Sequence, residues 1–240
     1  RKLEERTLEL KTKKEEIEAK NKDITDSINY AQRIQQAILP QQETLTDQLP
    51  NAFIIFRPRD IVSGDFYWFR RFGAKFILAC ADCTGHGVPG AFMSMIGSML
   101  LREVSADQYV RSPDVLLQNL DKQLHTVLQY QAEDLSSHDG MDISLCEIDV
   151  ESRKLRLAAA MQDVIIIHDG QMLRERGSRR SIGGVITSGM QQDFDMTEVQ
   201  LVPGDRIYLF SDGVPDQFGG PKGKKMKVSG IMTLLEELAQ

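Results

Sequence analysis

Leu3, Leu10, Ile17, Ile24, Ala31 and Ile38 recur at seven-residue intervals in a stretch otherwise dense in Glu, Lys and Gln. That period keeps one apolar side chain per two helical turns on a single seam, so it predicts a coiled-coil helix over residues 1–40. Neither glycine nor proline interrupts the stretch before Pro40, and its residues are strong helix formers. The companion seam positions, Thr7, Lys14, Asn21, Ile28 and Gln35, are mostly polar and weaken the seam. Asn21 facing its twin favours a parallel two-stranded pairing, hence a homodimer through this helix. A single solvated, charged helix is the other reading of the same pattern.

Beyond Pro40 the apolar runs become short. Residues 52–56, 75–81, 142–149, 154–160, 164–170 and 205–213 read as strands, several of them bounded by Gly, Asp or Pro. Two helical stretches, 88–107 and 113–131, lie between the second and third strands. In the latter, Val115, Leu116, Leu120, Leu124, Val127 and Leu128 form a stripe at helical spacing. Strands, then a helix pair, then more strands predict an α+β fold, an antiparallel β-sandwich flanked by helices, rather than a regular βαβ alternation. The expected division is a helical stalk over 1–40 and one folded domain over 41–240.

With 240 residues and 41% apolar content, the chain can build one sizeable core plus an extension. Its net charge of -6 excludes nucleic acid as the main partner, because phosphate-backbone binding needs a basic face. Three cysteines, Cys80, Cys83 and Cys146, form no disulfide framework, which points to a reducing, cytoplasmic compartment. Neither a membrane-spanning run nor a signal peptide is legible. The chain starts at Arg1 without a methionine, so it is expected to be a piece of a longer protein, its helix carrying a signal from an upstream sensor that could be membrane-attached.

Three acids sit where strand patterns run out: Asp65 in IVSGDFYWF, Asp82 in CADCTGHG and Asp212 in LFSDGVPDQ, with Gly64, Gly85 and Gly213 beside them. Aspartates with little histidine or thiolate describe a site for a hard cation such as Mg²⁺ or Mn²⁺. Asp-Gly is also ordinary turn chemistry, but three copies in the same strand-to-turn context favour the cation. His86 is either a general acid or part of a glycine loop that starts a helix, with Pro89 in its first turn. Cys80, Cys83 and His86 have a fragment of zinc spacing without a fourth ligand. Two basic stretches, one with Arg179 and Arg180 and one with Lys222, Lys224 and Lys225, are either phosphate contacts or solvated loops.

The ordered stretches RPRDIVSGDFYWF, FILACADCTGHGVPGAFMSMIG, DGMDISLCEID and YLFSDGVPDQFGG resemble the signatures of the metal-dependent type 2C (PPM) serine/threonine phosphatases, in the bacterial SpoIIE/RsbU-like branch. The resemblance implies two Mn²⁺ or Mg²⁺ ions that activate a water against phosphoserine or phosphothreonine. It implies Asp65, Asp82, the Cys83 carbonyl and Asp212 as metal ligands, and Asp142, with Asp139 less directly, at a further ion or in support. Whether Asp142 does more than start a strand stays open. The implied substrate is a phosphorylated regulatory protein, such as an anti-sigma-factor antagonist. A non-catalytic phosphoprotein-binding or signalling scaffold is the alternative. Two departures stand out. The branch's final strand with an Asp-Asp pair does not follow MTLLEELAQ, so weak metal binding or low turnover is expected of this fragment. Ala159, Ala160, Met161, Gln162 and Asp163 occupy a turn that the branch commonly writes Gly-Ala-Asn-Asn-Pro.

Overall fold

The seven-residue period is realised as one continuous helix, α1 (Lys2–Ile38), in a computed structural model that describes residues 2–106, 112–129, 139–184, 193–220 and 223–239. Leu3, Leu10, Ile17 and Ile24 are exposed along it, and the buried side chain of α1 is Gln35. Pro40 ends the helix, because a proline cannot donate to the helical ladder. A short α2 (Gln42–Gln48) then tucks Leu45 into the body.

In chain order there follow β1 (Phe66–Phe72), β2 (Lys75–Cys83), α3 (Gly87–Val104), α4 (Pro113–Gln129), β3 (Met141–Asp149), β4 (Lys154–Ala160), β5 (Asp163–His168), β6 (Gln171–Arg176), β7 (Met196–Gln200), β8 (Arg206–Leu209), β9 (Phe218–Gly219), β10 (Lys224–Lys225) and α5 (Lys227–Ala239). Among the described residues, one sheet has the order β1-β2-β3-β4-β7 and a second has β6-β5-β8, all pairs antiparallel. The strand period of two divides each strand between layers. Ile143, Leu145, Ala158 and Ala160 pack with Leu116, Leu120 and Leu124 of α4 and Leu101 of α3. Cys146, Leu155 and Leu157 meet Val164 and Ile166 between the sheets. On the far side Ile165 and Ile167 meet Ile231 and Leu235 of α5. The layers therefore run helices, sheet, sheet, helix, as the α+β expectation has it. Among the described residues no helix is long and apolar enough to cross a membrane.

The structure departs from the sequence expectation in three places. Residues 52–56 pair with no described strand; Phe53 and Ile55 are exposed while Phe56 packs edge-on against Tyr67 at 5.4 Å. The alternation is that of an extended segment without a ladder partner. Conversely β1, β6 and β7 are strands the apolar runs did not reveal, since β6 and β7 are largely polar and expose much of their length. Finally, α3 ends at Val104 rather than at the expected 107; positions 107 and 131 lie outside the described residues.

Candidate metal centre

Strand order brings the three acids to one end of the sandwich. Asp82 lies on β2 directly across from Asp142 of β3, both on the face turned toward the second sheet. Asp65 precedes β1 by one residue, a step beyond the Phe66–Ala81 pair, and so neighbours Asp82. Asp212 arrives from the other sheet, on the turn after β8. The sheets are tied here, because Ser211 Oγ donates to Asp65 Oδ2 at 2.6 Å.

Burial first, then the charges and hydrogen bonds of Asp65 and Asp212, push the Asp82 carboxyl up to about 8. Three crowded carboxylates cannot all stay ionised without a positive counterpart, so one retains a proton. Among the described residues, no group of three or more His, Cys, Asp or Glu side chains is already spread to hold an ion. The donor set of carboxylate oxygens nonetheless fits a hard divalent cation, which would take the proton's place.

Asp142 completes the rim. Its Oδ1 accepts from Ser181 Oγ at 2.5 Å, and its carbonyl accepts from Gln162 Nε2 at 3.0 Å. Gln162 Oε1 in turn accepts from Ser144 Oγ at 3.0 Å. Burial raises the Asp142 carboxyl, the Ser181 hydrogen bond opposes this, and the Asp212 charge adds to the rise. Asp139 lies beside Thr84, whose Oγ1 is 3.5 Å from its Oδ1 and accepts from the Gly140 amide at 2.9 Å.

The loop after Asp82 is pressed against the loop before Asp65. A Cβ on Gly64 would stand 2.9 Å from the Gly85 carbonyl and 3.2 Å from that of Cys83; one on Gly90 would stand 2.5 Å from Gly85 O. Only glycine allows this approach, which brings the Cys83 carbonyl against Gly64, the neighbour of Asp65. His86 immediately precedes α3; its ring is 82% exposed and 3.6 Å from Asp60, which favours the helix-starting reading. The zinc fragment is not assembled: Cys80 and Cys83 occupy opposite faces of β2. Burial, reinforced by Asp65 and Asp82, pushes the Cys80 thiol up to about 12, and burial raises Cys83 as well.

Gln35 was not anticipated as a functional residue. The sequence marks it only as a polar residue at a seam position in the last heptad, and that misfit was the available signal. Its Nε2 donates to the Ser63 carbonyl at 2.6 Å and to Ser94 Oγ at 2.8 Å, and its Oε1 accepts from the Ser63 amide at 3.2 Å. One buried amide thus joins α1 to α3 and to the loop that ends in Asp65.

The basic residues divide. Arg180 does not face the cleft: it is 8% exposed, both terminal nitrogens lie 3.0 Å from Asp121 Oδ2, and its guanidinium sits 4.2 Å above the Phe194 ring. Its position next to buried Ser178 and Ile182 turns it inward, where Asp121 compensates the charge; the expected substrate contact is corrected accordingly. Arg179, one residue earlier, is exposed. Lys224 is exposed on the β9–β10 ribbon, and Lys225 holds Asp216 at 2.6 Å. Lys222 lies outside the described residues.

The profile of the family named Stage II sporulation protein E (SpoIIE) matches residues 73–240. The chain belongs to that family. It is 34% identical to the SiaA-PP2C domain of Pseudomonas aeruginosa, over 90% of this chain and 83% of that one, with a TM-score of 0.78. The RsbU and RsbW domains of a Mycobacterium tuberculosis protein share the fold at 19% identity, over 76% of this chain and 48% of that one, TM-score 0.58. The PP2C phosphatase domain and regulatory fragment of SpoIIE from Bacillus subtilis does so at 22%, over 74% and 53%, TM-score 0.53. No curated protein sequence matches the chain. The SpoIIE-family domain is thus a PP2C-type serine/threonine phosphatase domain, of a metal-dependent hydrolase family.

Proposed function

We propose that this domain hydrolyses phosphoserine or phosphothreonine on a regulatory protein, with Asp65, Asp82, Asp212 and the Cys83 carbonyl holding a pair of Mn²⁺ or Mg²⁺ ions. The observation that carries the reading is the convergence of Asp65 and Asp82 from one sheet with Asp212 from the other. Bound there, the cations would supply the Lewis-acid charge that neutralises the phosphate and makes a water nucleophilic at neutral pH. Asp82 would give up its retained proton to hold a cation, and Ser211 keeps Asp65 oriented through its hydrogen bond. Asp142, steadied by Ser181 and Gln162, and Asp139 stand where an outer ion or a coordinated water would be supported. Arg179 and the β9–β10 ribbon with Lys224 frame the phosphate's approach.

The expected substrate is a phosphorylated signalling protein of the anti-sigma-factor-antagonist kind, and the expected compartment the cytoplasm. Residues 1–40 act as a stalk that pairs two copies and serves an upstream sensor, and residues 41–240 as the phosphatase. Gln35 offers the physical route for gating: a shift of α1 acts on Ser63, two residues from Asp65, and on Ser94 of α3. Manganese-dependent hydrolysis of p-nitrophenyl phosphate tests the activity. The full chain should turn it over at a low rate, and Asp82→Asn should reduce that rate on the order of 100-fold with unchanged circular dichroism. No turnover at saturating Mn²⁺ would remove the enzymatic reading in favour of a phosphoprotein-binding scaffold.

A further inference from the structure

The turn between β4 and β5 holds a residue in an unusual place. Met161 has φ 61°, in the left-handed region that glycine or asparagine normally fills. It is 53% exposed and belongs to none of the hydrophobic clusters of the described residues. The conformation is nonetheless fixed on both sides. The Met161 amide donates to the Ser178 carbonyl at 2.9 Å, and the Gly177 amide donates to the Gln162 carbonyl at 2.9 Å. Gln162 anchors the turn to Asp142 and Ser144.

That turn lies at the acidic end of the sandwich. Ala160 pairs with Ile143, the residue after Asp142, and Val164 pairs with Leu209, three residues before Asp212. Met161 therefore stands on the rim between the strand ends that carry Asp142 and Asp212. Exposed Arg179 follows Ser178, giving this rim a cation on a molecule of net charge -6, complementary to a phosphate-bearing chain. A flexible, polarizable thioether held outward in a strained, over-determined turn suits a contact surface better than a structural one.

We propose that Met161 is a specificity residue for the substrate protein: it packs against an apolar side chain next to the phosphoserine or phosphothreonine whose phosphate reaches the aspartate cluster. The inference rests on the phosphatase reading above. It commits to an apolar flanking residue, so a glycine there should be a poorer substrate.

Two phosphoserine peptides that differ only in leucine or glycine beside the phosphoresidue test it, with the full-length chain and Mn²⁺. The wild-type protein should favour the leucine peptide in kcat/KM by about 5-fold or more, the scale of a modest apolar contact. In Met161→Gly the ratio should fall to about 1, while the thermal midpoint holds or rises because glycine accepts the positive φ. Met161→Leu should retain the preference. A wild-type ratio near unity, or a preference that survives in Met161→Gly, overturns the proposal while p-nitrophenyl phosphate turnover leaves the phosphatase reading standing. Absence of that turnover removes both.

Discussion

Asp82 holds a proton where an ordinary aspartate, with a value near 3.8, would have lost it. Because burial and the Asp65 and Asp212 charges raise it to about 8, the folded metal-free protein binds a proton that the unfolded chain has released between those two values. Raising the pH across that window therefore removes stability from the metal-free form. A cation must displace the same proton, so Mn²⁺ affinity should climb with pH and level off above about 8. Titration calorimetry at pH 7 in two buffers of different ionisation enthalpy should show release of about one proton per site loaded; zero release contradicts the crowded-carboxylate picture. At Gln35 the prediction concerns coupling. Gln35→Leu strips three hydrogen bonds from buried Ser63 and Ser94, which should lower stability by about 1–3 kcal/mol and weaken Mn²⁺ binding. Urea denaturation and calorimetry read the two effects, and unaltered metal affinity would sever α1 from the site.

At the scale of elements, α1 presents Leu3, Leu10, Ile17 and Ile24 to water along one seam, and among the described residues nothing covers them. Light scattering should find the full chain dimeric and a chain lacking residues 1–27 monomeric; equal masses would exclude pairing through the stalk. This helix was legible in the sequence because its period is strict. So were β2 to β5, whose apolar runs are long enough to be buried on both faces. The acids Asp65, Asp82 and Asp212 could be found because each ends a strand pattern beside a glycine, a local signal. Gln35, Gln162 and Ser181 could not. Their partners Ser63 and Asp142 are 20 to 39 positions away in sequence, and a hydrogen bond formed only on folding leaves no periodicity behind. Arg179 and Arg180 illustrate the same limit, because two adjacent arginines on a bend look alike in sequence and only the packing decides which one meets Asp121.

For the whole molecule, the aspartates join two sheets that otherwise share an apolar interface built on Cys146, Leu155, Leu157, Val164 and Ile166. A cation held by Asp65, Asp82 and Asp212, as proposed, would span both, and a ligand that binds only the folded state at 100 times its Kd adds about 2.7 kcal/mol. Mn²⁺ should thus raise the melting midpoint by about 5–10 °C, and Asp212→Asn should abolish most of that rise; an equal rise in the variant would place the ions elsewhere. The extended stretch before β1 has a different bearing on handling. With Phe53 and Ile55 outward and its backbone facing no described strand, it is a template onto which a neighbouring molecule can zip. Crowded solutions should consequently coalesce through those two side chains, and a lysine at either position would be the simplest gatekeeper against precipitation.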